Sequence, residues 1–147
     1  MILGELLDVK YTNKKINSEE LVDMYEKKTG ALIKISFEIG FVLSNCENIK
    51  NKKLIEKISK SIGFTYQLVD DLLEIESDEK RIGKSINSDS KNKKDTLANK
   101  YGINETKKII CEYKNSINTD ICDLEKVSEE KKSFYKYFMN FIVDRDR

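Results

Sequence analysis

The sequence predicts an all-α fold, and the first observation behind this prediction is the scarcity of residues that break helices. The 147 residues include no proline and only six glycines, so most of the punctuation that strands and tight turns require is missing. The second observation is that apolar residues recur at helical spacing along most of the chain. At this length the chain fits one ordinary domain, or half of a larger one. We therefore expect a bundle of long helices.

Residues 1–8 open the chain with helix-like apolar spacing, yet no N-cap residue precedes them. We expect a helix that this sequence enters midway. Residues 10–17 are polar and predict a loop. Ser18 then predicts a helix start, because the two glutamates that follow it suit the N-terminal end of the helix dipole. This helix is expected to run to about residue 27.

The middle of the chain predicts two more helices. Residues 31–43 are apolar on more than one face, which is typical of a helix buried among other helices. After a polar link at residues 45–51, helical spacing over residues 54–75 predicts a long central helix. Gly63 inside it costs about 1 kcal/mol relative to alanine, so we expect it to serve close packing or a slight bend. Residues 77–94 are polar and predict a mobile loop.

The C-terminal part predicts two further amphipathic helices, at residues 105–116 and 129–143. Neither an internal repeat nor a low-complexity segment interrupts the sequence. Residues 1–147 are therefore interpreted as one helical unit.

The composition argues against several functions. Twenty-seven basic and 26 acidic residues give a net charge of +1, so the basic field typical of nucleic-acid binders is absent. Three cysteines without C-x-x-C spacing, and no histidine, argue against a disulfide framework and against zinc. No apolar run approaches the roughly 20 residues that span a bilayer, and no signal-peptide pattern opens the chain. We expect a cytoplasmic protein with reduced thiols.

Four polar side chains share one face of the central helix. Gln67, Asp70, Asp71 and Glu74 fall at positions i, i+3, i+4 and i+7, among aliphatic neighbours. Carboxylates in such surroundings have to be paired or have to hold a metal. Mg²⁺ suits this face, since one or two carboxylates together with substrate phosphates commonly hold it. The alternative is an ordinary solvated acidic face, which the bracketing leucines disfavour.

Three lysines could bring positive charge to this face. Lys28 precedes the apolar helix at residues 31–43, while Lys84 and Lys94 lie in the predicted loop that follows the acidic face. Lysine binds phosphate as a point charge, so a diphosphate held between Mg²⁺ and these ammonium groups forms a coherent site. For any single lysine in so lysine-rich a chain, a solvated surface charge is the alternative.

Three stretches of the sequence carry a family resemblance. The first two are residues 28–33, which begin Lys28-Thr29-Gly30, and residues 66–74, which hold the acidic face. The third follows in the predicted loop and contains Gly83, Lys84, Asp89, Lys94 and Thr96. In order, spacing and helical context these stretches resemble the second half of a trans-isoprenyl diphosphate synthase, the family of farnesyl and geranylgeranyl diphosphate synthases.

The resemblance implies an all-α helical bundle of the isoprenoid synthase type, of which this chain is about the C-terminal half. In that family, two aspartate-rich motifs face each other across a deep cavity and hold three Mg²⁺ on an allylic diphosphate. The diphosphate leaves, and the allylic cation alkylates isopentenyl diphosphate. The acidic face of this chain resembles the second motif.

The resemblance also implies a role for individual residues. The implied Mg²⁺ ligands are Asp70, Asp71 and Glu74. The implied ligands of the allylic diphosphate are Lys28, Lys84 and Lys94. The residues implied in catalysis are Lys28, Thr29 and Gln67, of which the last two would line the place where the allylic cation forms.

The sequence also departs from the family pattern. Glu74 stands where the second motif usually ends in aspartate, Asn87 stands where glycine is common, and Glu5 replaces a usual glutamine. No residues match the first aspartate-rich motif, its adjacent arginines, or the Gly-Lys-Arg segment that binds isopentenyl diphosphate. We therefore expect a truncated or fragmentary product of a protein about twice this size. Arg145 and Arg147 resemble a basic C-terminal tail.

Three functions stay open from the sequence. In the first, the chain is the C-terminal half of a Mg²⁺-dependent prenyltransferase and is active only with the missing half. In the second, it is a non-catalytic subunit that binds Mg²⁺ and diphosphate or joins a heteromer. In the third, it is a structural helical fragment. A bundle cut in half exposes apolar faces that drive association. We therefore expect self-association, or pairing with the missing N-terminal half.

Overall fold

The computed structural model describes residues 1–82 and 95–145, and within these ranges every regular element is helical, without a strand. The predicted all-α class is confirmed. In chain order the elements are α1 (Ile2–Tyr11), α2 (Ser18–Tyr25), a π-helical segment (Glu26–Gly30), α3 (Ala31–Leu43), α4 (Ile49–Ile82), α5 (Leu97–Tyr101), α6 (Ile103–Cys122) and α7 (Glu129–Val143).

Helix α4 is the centre of the fold. It packs against α3 and the π-helical segment on one side and against α5, α6 and α7 on the other. One cluster of buried apolar residues lies around the second half of α4 and includes Leu21, Leu68 and Leu97. A second cluster lies around its first half and includes Ile58 and Ile117. The central helix predicted from the sequence is confirmed, and it organises both parts of the core.

The start of α2 agrees with the prediction at Ser18, while its cap is the residue before. The Asn17 side chain accepts a hydrogen bond from the Glu20 amide at 2.8 Å, and the Glu20 carboxylate accepts one from the Asn17 amide at 3.1 Å. This reciprocal capping box satisfies two backbone donors that an uncapped helix start leaves open. It fixes where the chain turns from the loop at residues 12–17 into the helix that leads to the site.

Several predicted boundaries are corrected. Helix α4 continues to Ile82, so the predicted loop at residues 77–94 is wrong for its first six residues, and residues 83–94 lie outside the described ranges. Helix α6 spans Ile103–Cys122, longer at both ends than the predicted 105–116. Helix α7 matches the predicted 129–143. The short helix α5 has no counterpart in the sequence prediction.

The predicted burial of residues 31–43 is wrong. One side of α3 packs on α4, but none of its residues is buried by the part of the chain that the structure describes. Five large apolar side chains of α3 are 52–75% exposed: Leu32, Ile35, Ile39, Val42 and Leu43. The apolar pattern on a second face of α3 therefore has no helix packed against it among the described residues.

The π-helical segment lies in close contact with α1 on one side and with α4 on the other, and each contact is made at a glycine. A Cβ at Gly63 would lie 2.7 Å from the Cα of Gly30, and a Cβ at Gly4 would lie 2.3 Å from the Cα of Lys28. Distances this short leave no room for a side chain. The packing role predicted for Gly63 is confirmed, and the two contacts hold Lys28 and its neighbours between two helices.

No described helix is both long enough and apolar enough to cross a membrane.

Candidate functional site

A polar cavity of about 170 Å³ lies between α1, α2, α4 and the start of α5. All four residues of the predicted acidic face line it, as does Lys28. Two further carboxyl groups, those of Asp8 and Asp95, complete its acidic lining. The helical spacing of the sequence therefore does bring these side chains to one place, and α1 and the segment just before α5 add two carboxylates that were not predicted.

Lys28 and Thr29 lie within the π-helical segment, which joins α2 to α3 without a break. A π-helical turn changes the directions of the side chains relative to a regular helix, and such turns are common at functional sites. The Thr29 hydroxyl donates a hydrogen bond to Gln67 Oε1 at 3.0 Å. Thr29 thus contacts a residue of the cavity lining and is not itself part of that lining.

The ammonium group of Lys28 is held by helix α1. It lies 2.6 Å from Asp8 Oδ2 and 3.7 Å from Glu5 Oε2. Partial burial acts to lower the pKa of Lys28, but the hydrogen bond and charge of Asp8 and the charge of Glu5 raise it above its ordinary value. Lys28 is therefore a protonated cation in the cavity wall. The signal that could have identified Asp8 is the spacing of the two acids on α1, one helical turn apart.

Asp70 pairs with a basic residue from the other end of the chain. Arg145 Nη2 lies 2.5 Å from Asp70 Oδ1 and donates a second hydrogen bond to the carbonyl oxygen of Tyr66 at 3.0 Å. The guanidinium also lies 3.8 Å from the centre of the Tyr66 ring, a distance typical of a cation–π contact. Arg145 could be predicted only as part of a basic tail, because an ion pair between residues 75 positions apart leaves no local pattern in the sequence.

Asp71 is turned into the protein interior and is only 5% exposed. Its Oδ2 accepts a short hydrogen bond from the Tyr25 hydroxyl, and its Oδ1 accepts one from Gln67 Nε2 at 3.3 Å. Burial raises the pKa of Asp71 to about 7, in spite of these two hydrogen bonds, and the charges of Glu74 and Asp70 act in the same direction as burial. Tyr25 was not identified from the sequence, because a tyrosine at helical spacing is typical of a residue of the hydrophobic core.

Glu74 is exposed at the mouth of the same cavity. Lys84 and Lys94, which the sequence analysis placed near the acidic face, lie outside the described residues. The structure therefore brings together Lys28, Gln67, Asp70, Asp71 and Glu74, with Thr29 in contact with Gln67.

The carboxylates that line the cavity are the candidate ligands of a metal ion. Within residues 1–82 and 95–145, no group of three or more acidic, cysteine or histidine side chains is arranged as a ready-made metal site. Asp70, which also pairs with Arg145, and Glu74 each present a carboxylate to the cavity, whereas both oxygens of Asp71 accept hydrogen bonds inside the protein. Two carboxylates fit Mg²⁺, which commonly completes its coordination with water and substrate phosphates.

Comparisons with known proteins agree on one family. The family model for polyprenyl synthetase matches residues 1–136. A short chain isoprenyl diphosphate synthase from Methanocaldococcus jannaschii is 37% identical over 64% of this chain and 28% of that protein. A farnesyl diphosphate synthase from Micrococcus luteus is 27% identical over 100% of this chain and 49% of that protein.

The fold has a counterpart among solved structures. A geranyltransferase from Helicobacter pylori matches with a TM-score of 0.78 and 22% sequence identity, over 97% of this chain and 45% of that one. The chain thus spans less than half the length of each of these three relatives. The match of the family model over nearly all of its residues shows that the chain belongs to the polyprenyl synthetase family.

Proposed function

We propose that this chain supplies the C-terminal half of the active site of a Mg²⁺-dependent prenyltransferase, which condenses an allylic diphosphate with isopentenyl diphosphate. The observation that carries the proposal is the cavity in which Lys28, Gln67, Asp70 and Glu74 meet, in a chain of the polyprenyl synthetase family. Carboxylates and an ammonium group around one small cavity suit a ligand that carries several phosphate oxygens and a divalent cation.

In this proposal, Asp70 and Glu74 hold Mg²⁺ and Lys28 binds a phosphate oxygen directly. Bound Mg²⁺ would neutralise charge on the diphosphate and so favour its departure. Lys28 is protonated at neutral pH, since Asp8 and Glu5 raise a pKa that is already high in an ordinary lysine, so it can act in the same electrostatic sense. From the family resemblance, Lys84 and Lys94 are further diphosphate ligands, and Asp71 is a third ligand of Mg²⁺.

The organic step requires a site for a developing cation. The carbon–oxygen bond of the allylic diphosphate breaks with its electron pair leaving on the diphosphate, and the double bond of isopentenyl diphosphate then attacks the allylic carbon. Loss of a proton from the new cation completes the product. Gln67 and Thr29, joined by a hydrogen bond of 3.0 Å, would present oxygen atoms to the allylic cation.

The proposal includes a partner surface, because this chain carries only the second aspartate-rich motif. Besides carrying exposed apolar side chains, α3 lines a groove of about 880 Å³ together with the start of α4 and with α7. The aromatic residues that line this groove are Phe37, Phe41, Phe134, Tyr135 and Phe138. Apolar surface of this extent favours association, with a second copy or with a chain that supplies the other half of the site.

A second candidate function is a non-catalytic subunit that binds Mg²⁺ and diphosphate. The observation that favours it is the exposed apolar face of α3, which suits packing against another chain in a heteromer.

All three cysteine thiols are free, which supports a reducing compartment, and we propose the cytoplasm.

The experiment is a condensation assay of the purified chain with geranyl diphosphate, isopentenyl diphosphate and Mg²⁺, run beside a measurement of diphosphate binding. Binding without turnover is expected for the chain alone, and turnover is expected once a chain carrying the first motif is added. Turnover by the chain alone at the rate of a complete synthase would contradict the half-site. Absence of both binding and complemented turnover would leave only a structural role.

A further inference from the structure

A continuous chain of hydrogen bonds runs through the floor of the cavity from α5 to the π-helical segment. The Leu97 amide donates to the Tyr25 hydroxyl at 3.2 Å, and that hydroxyl donates to Asp71 Oδ2. On the other side, Gln67 Nε2 donates to Asp71 Oδ1 at 3.3 Å, and the Thr29 hydroxyl donates to Gln67 Oε1 at 3.0 Å. Four elements of the fold therefore meet in one network.

The chemistry of the groups fixes the direction of every bond in this network. A backbone amide can only donate, so the Tyr25 hydroxyl accepts from Leu97 and uses its own proton toward Asp71. With Oδ2 accepting that hydrogen bond, the ionised form of Asp71 presents Oδ1 to Gln67 as an acceptor. The side-chain amide of Gln67 must then turn its NH₂ group to Asp71 and its carbonyl oxygen to Thr29, because the reverse orientation would place two acceptors in contact.

Burial makes this network hard to replace by water. Tyr25 is 1% exposed and Leu97 is fully buried. The ring of Tyr25 packs against Phe64, with ring centres 6.5 Å apart. Removal of the hydroxyl would leave a buried carboxylate oxygen and a buried amide without partners, which is costly where solvent cannot enter.

We propose that Tyr25 is a positioning residue of the site, which acts through Asp71 to hold the Gln67 amide with its carbonyl oxygen toward Thr29. The inference rests on the proposed function, in which Gln67 and Thr29 present oxygen atoms to an allylic cation. Removal of the Tyr25 hydroxyl keeps every group that the proposed function uses to hold Mg²⁺ and diphosphate, namely the carboxylates of Asp70, Asp71 and Glu74 and the ammonium group of Lys28. Loss of that hydroxyl should therefore change the orientation of Gln67 and leave the binding of diphosphate intact.

The test is an NMR comparison of three full-length variants with the wild type. Tyr25→Phe removes the hydroxyl and keeps the ring, and Asp71→Asn replaces an acceptor by a group that can also donate. Tyr113→Phe is the matched control, because Tyr113 packs on the same Phe64 ring at 5.0 Å between centres and makes no hydrogen bond to a described residue. The readout is the pair of side-chain NH₂ resonances of Gln67, assigned by their loss in Gln67→Glu.

The first two variants should each move the Gln67 NH₂ resonances, and Tyr113→Phe should leave them in place. The wild type should also show a slowly exchanging hydroxyl proton that Tyr25→Phe lacks. Unmoved Gln67 resonances in folded Tyr25→Phe or Asp71→Asn would overturn the inference, as would the absence of a protected hydroxyl proton in the wild type. The search for that proton needs no variant, so the inference stays open to refutation even if Tyr25→Phe fails to fold.

A binding measurement separates this inference from the proposed function. Inorganic diphosphate with Mg²⁺ should bind Tyr25→Phe within about threefold of the wild-type affinity, a difference well under 1.4 kcal/mol. If the wild type fails to bind at all, the proposed function fails while the NMR result still decides the role of Tyr25. If Tyr25→Phe loses binding more than tenfold, Tyr25 belongs to the diphosphate site and the inference is wrong.

Discussion

Asp70, Asp71 and Glu74 are neighbours on one helix, yet each meets different surroundings. Asp70 pairs with Arg145, Asp71 accepts hydrogen bonds inside the protein, and Glu74 is exposed at the mouth of the cavity. Helical spacing predicts the angle at which a side chain leaves its helix. It does not predict which residue another element brings to that angle, so the shared cavity was predictable and the three individual environments were not.

The buried carboxyl of Asp71 gives the stability of the metal-free protein a dependence on pH. Its pKa of about 7 in the folded state lies above the ordinary value of about 3.9 that an unfolded chain has. The folded state therefore binds more protons between these values, and this residue makes the free energy of unfolding fall as the pH rises from about 4 to 7. The fall should amount to about 2–4 kcal/mol.

Urea unfolding of the wild type and of Asp71→Asn between pH 4 and pH 8, with a chelator present, measures this contribution. The free energy of unfolding of Asp71→Asn minus that of the wild type should increase as the pH rises, and should level off above about pH 8. A difference that is constant with pH would show that Asp71 has an ordinary pKa.

Arg145 and Mg²⁺ compete for the same carboxylate in the proposed site, since the guanidinium lies 2.5 Å from Asp70 Oδ1. Arg145→Ala should therefore raise the affinity for Mg²⁺ in the presence of diphosphate by up to about fivefold, which corresponds to the roughly 1 kcal/mol that an exposed ion pair contributes at most. Calorimetric titration of Mg²⁺ measures it. Lys114→Ala is the control, because it removes an ion pair to Asp144 at the same end of the molecule. A lower affinity in Arg145→Ala would contradict competition.

At the scale of the elements, the π-helical segment depends on two close contacts between backbones. Gly63→Ala would place a Cβ 2.7 Å from the Cα of Gly30, so α4 and the segment would have to move apart. We expect a loss of about 1–3 kcal/mol in the free energy of unfolding. Gly40→Ala is the matched control, because its Cβ would meet open space on α3 and should be neutral or stabilising by up to about 1 kcal/mol. Equal effects in the two variants would show that the contact is not tight.

Apolar periodicity explains which helices could be predicted from the sequence and which could not. Helices α1, α4 and α7 were found because each carries a long apolar pattern, and Ser18 was found because acids follow it. Helix α5 was missed because five residues are too few to show a period of 3.6. The burial of α3 was predicted wrongly, because an apolar face reports that a partner suits it and not which residues supply that partner.

At the scale of the whole molecule, the exposed apolar face of α3 should drive association. Dynamic light scattering at micromolar concentration should show particles larger than a monomer. Ile39→Glu should reduce their size, because it places a charge within that face. Ile49→Glu makes the same chemical change at an exposed apolar residue outside α3 and should have a smaller effect. A clean wild-type monomer would contradict the proposed association.

The cavity between α1, α2 and α4 is expected to bind diphosphate together with Mg²⁺. Calorimetric titration of inorganic diphosphate into the protein measures this binding, with and without Mg²⁺ and with Asp70→Ala beside the wild type. We expect binding that requires Mg²⁺ and is lost in Asp70→Ala. Binding that is unchanged by the removal of Mg²⁺ or of the Asp70 carboxylate, or no binding by the wild type, would contradict this expectation.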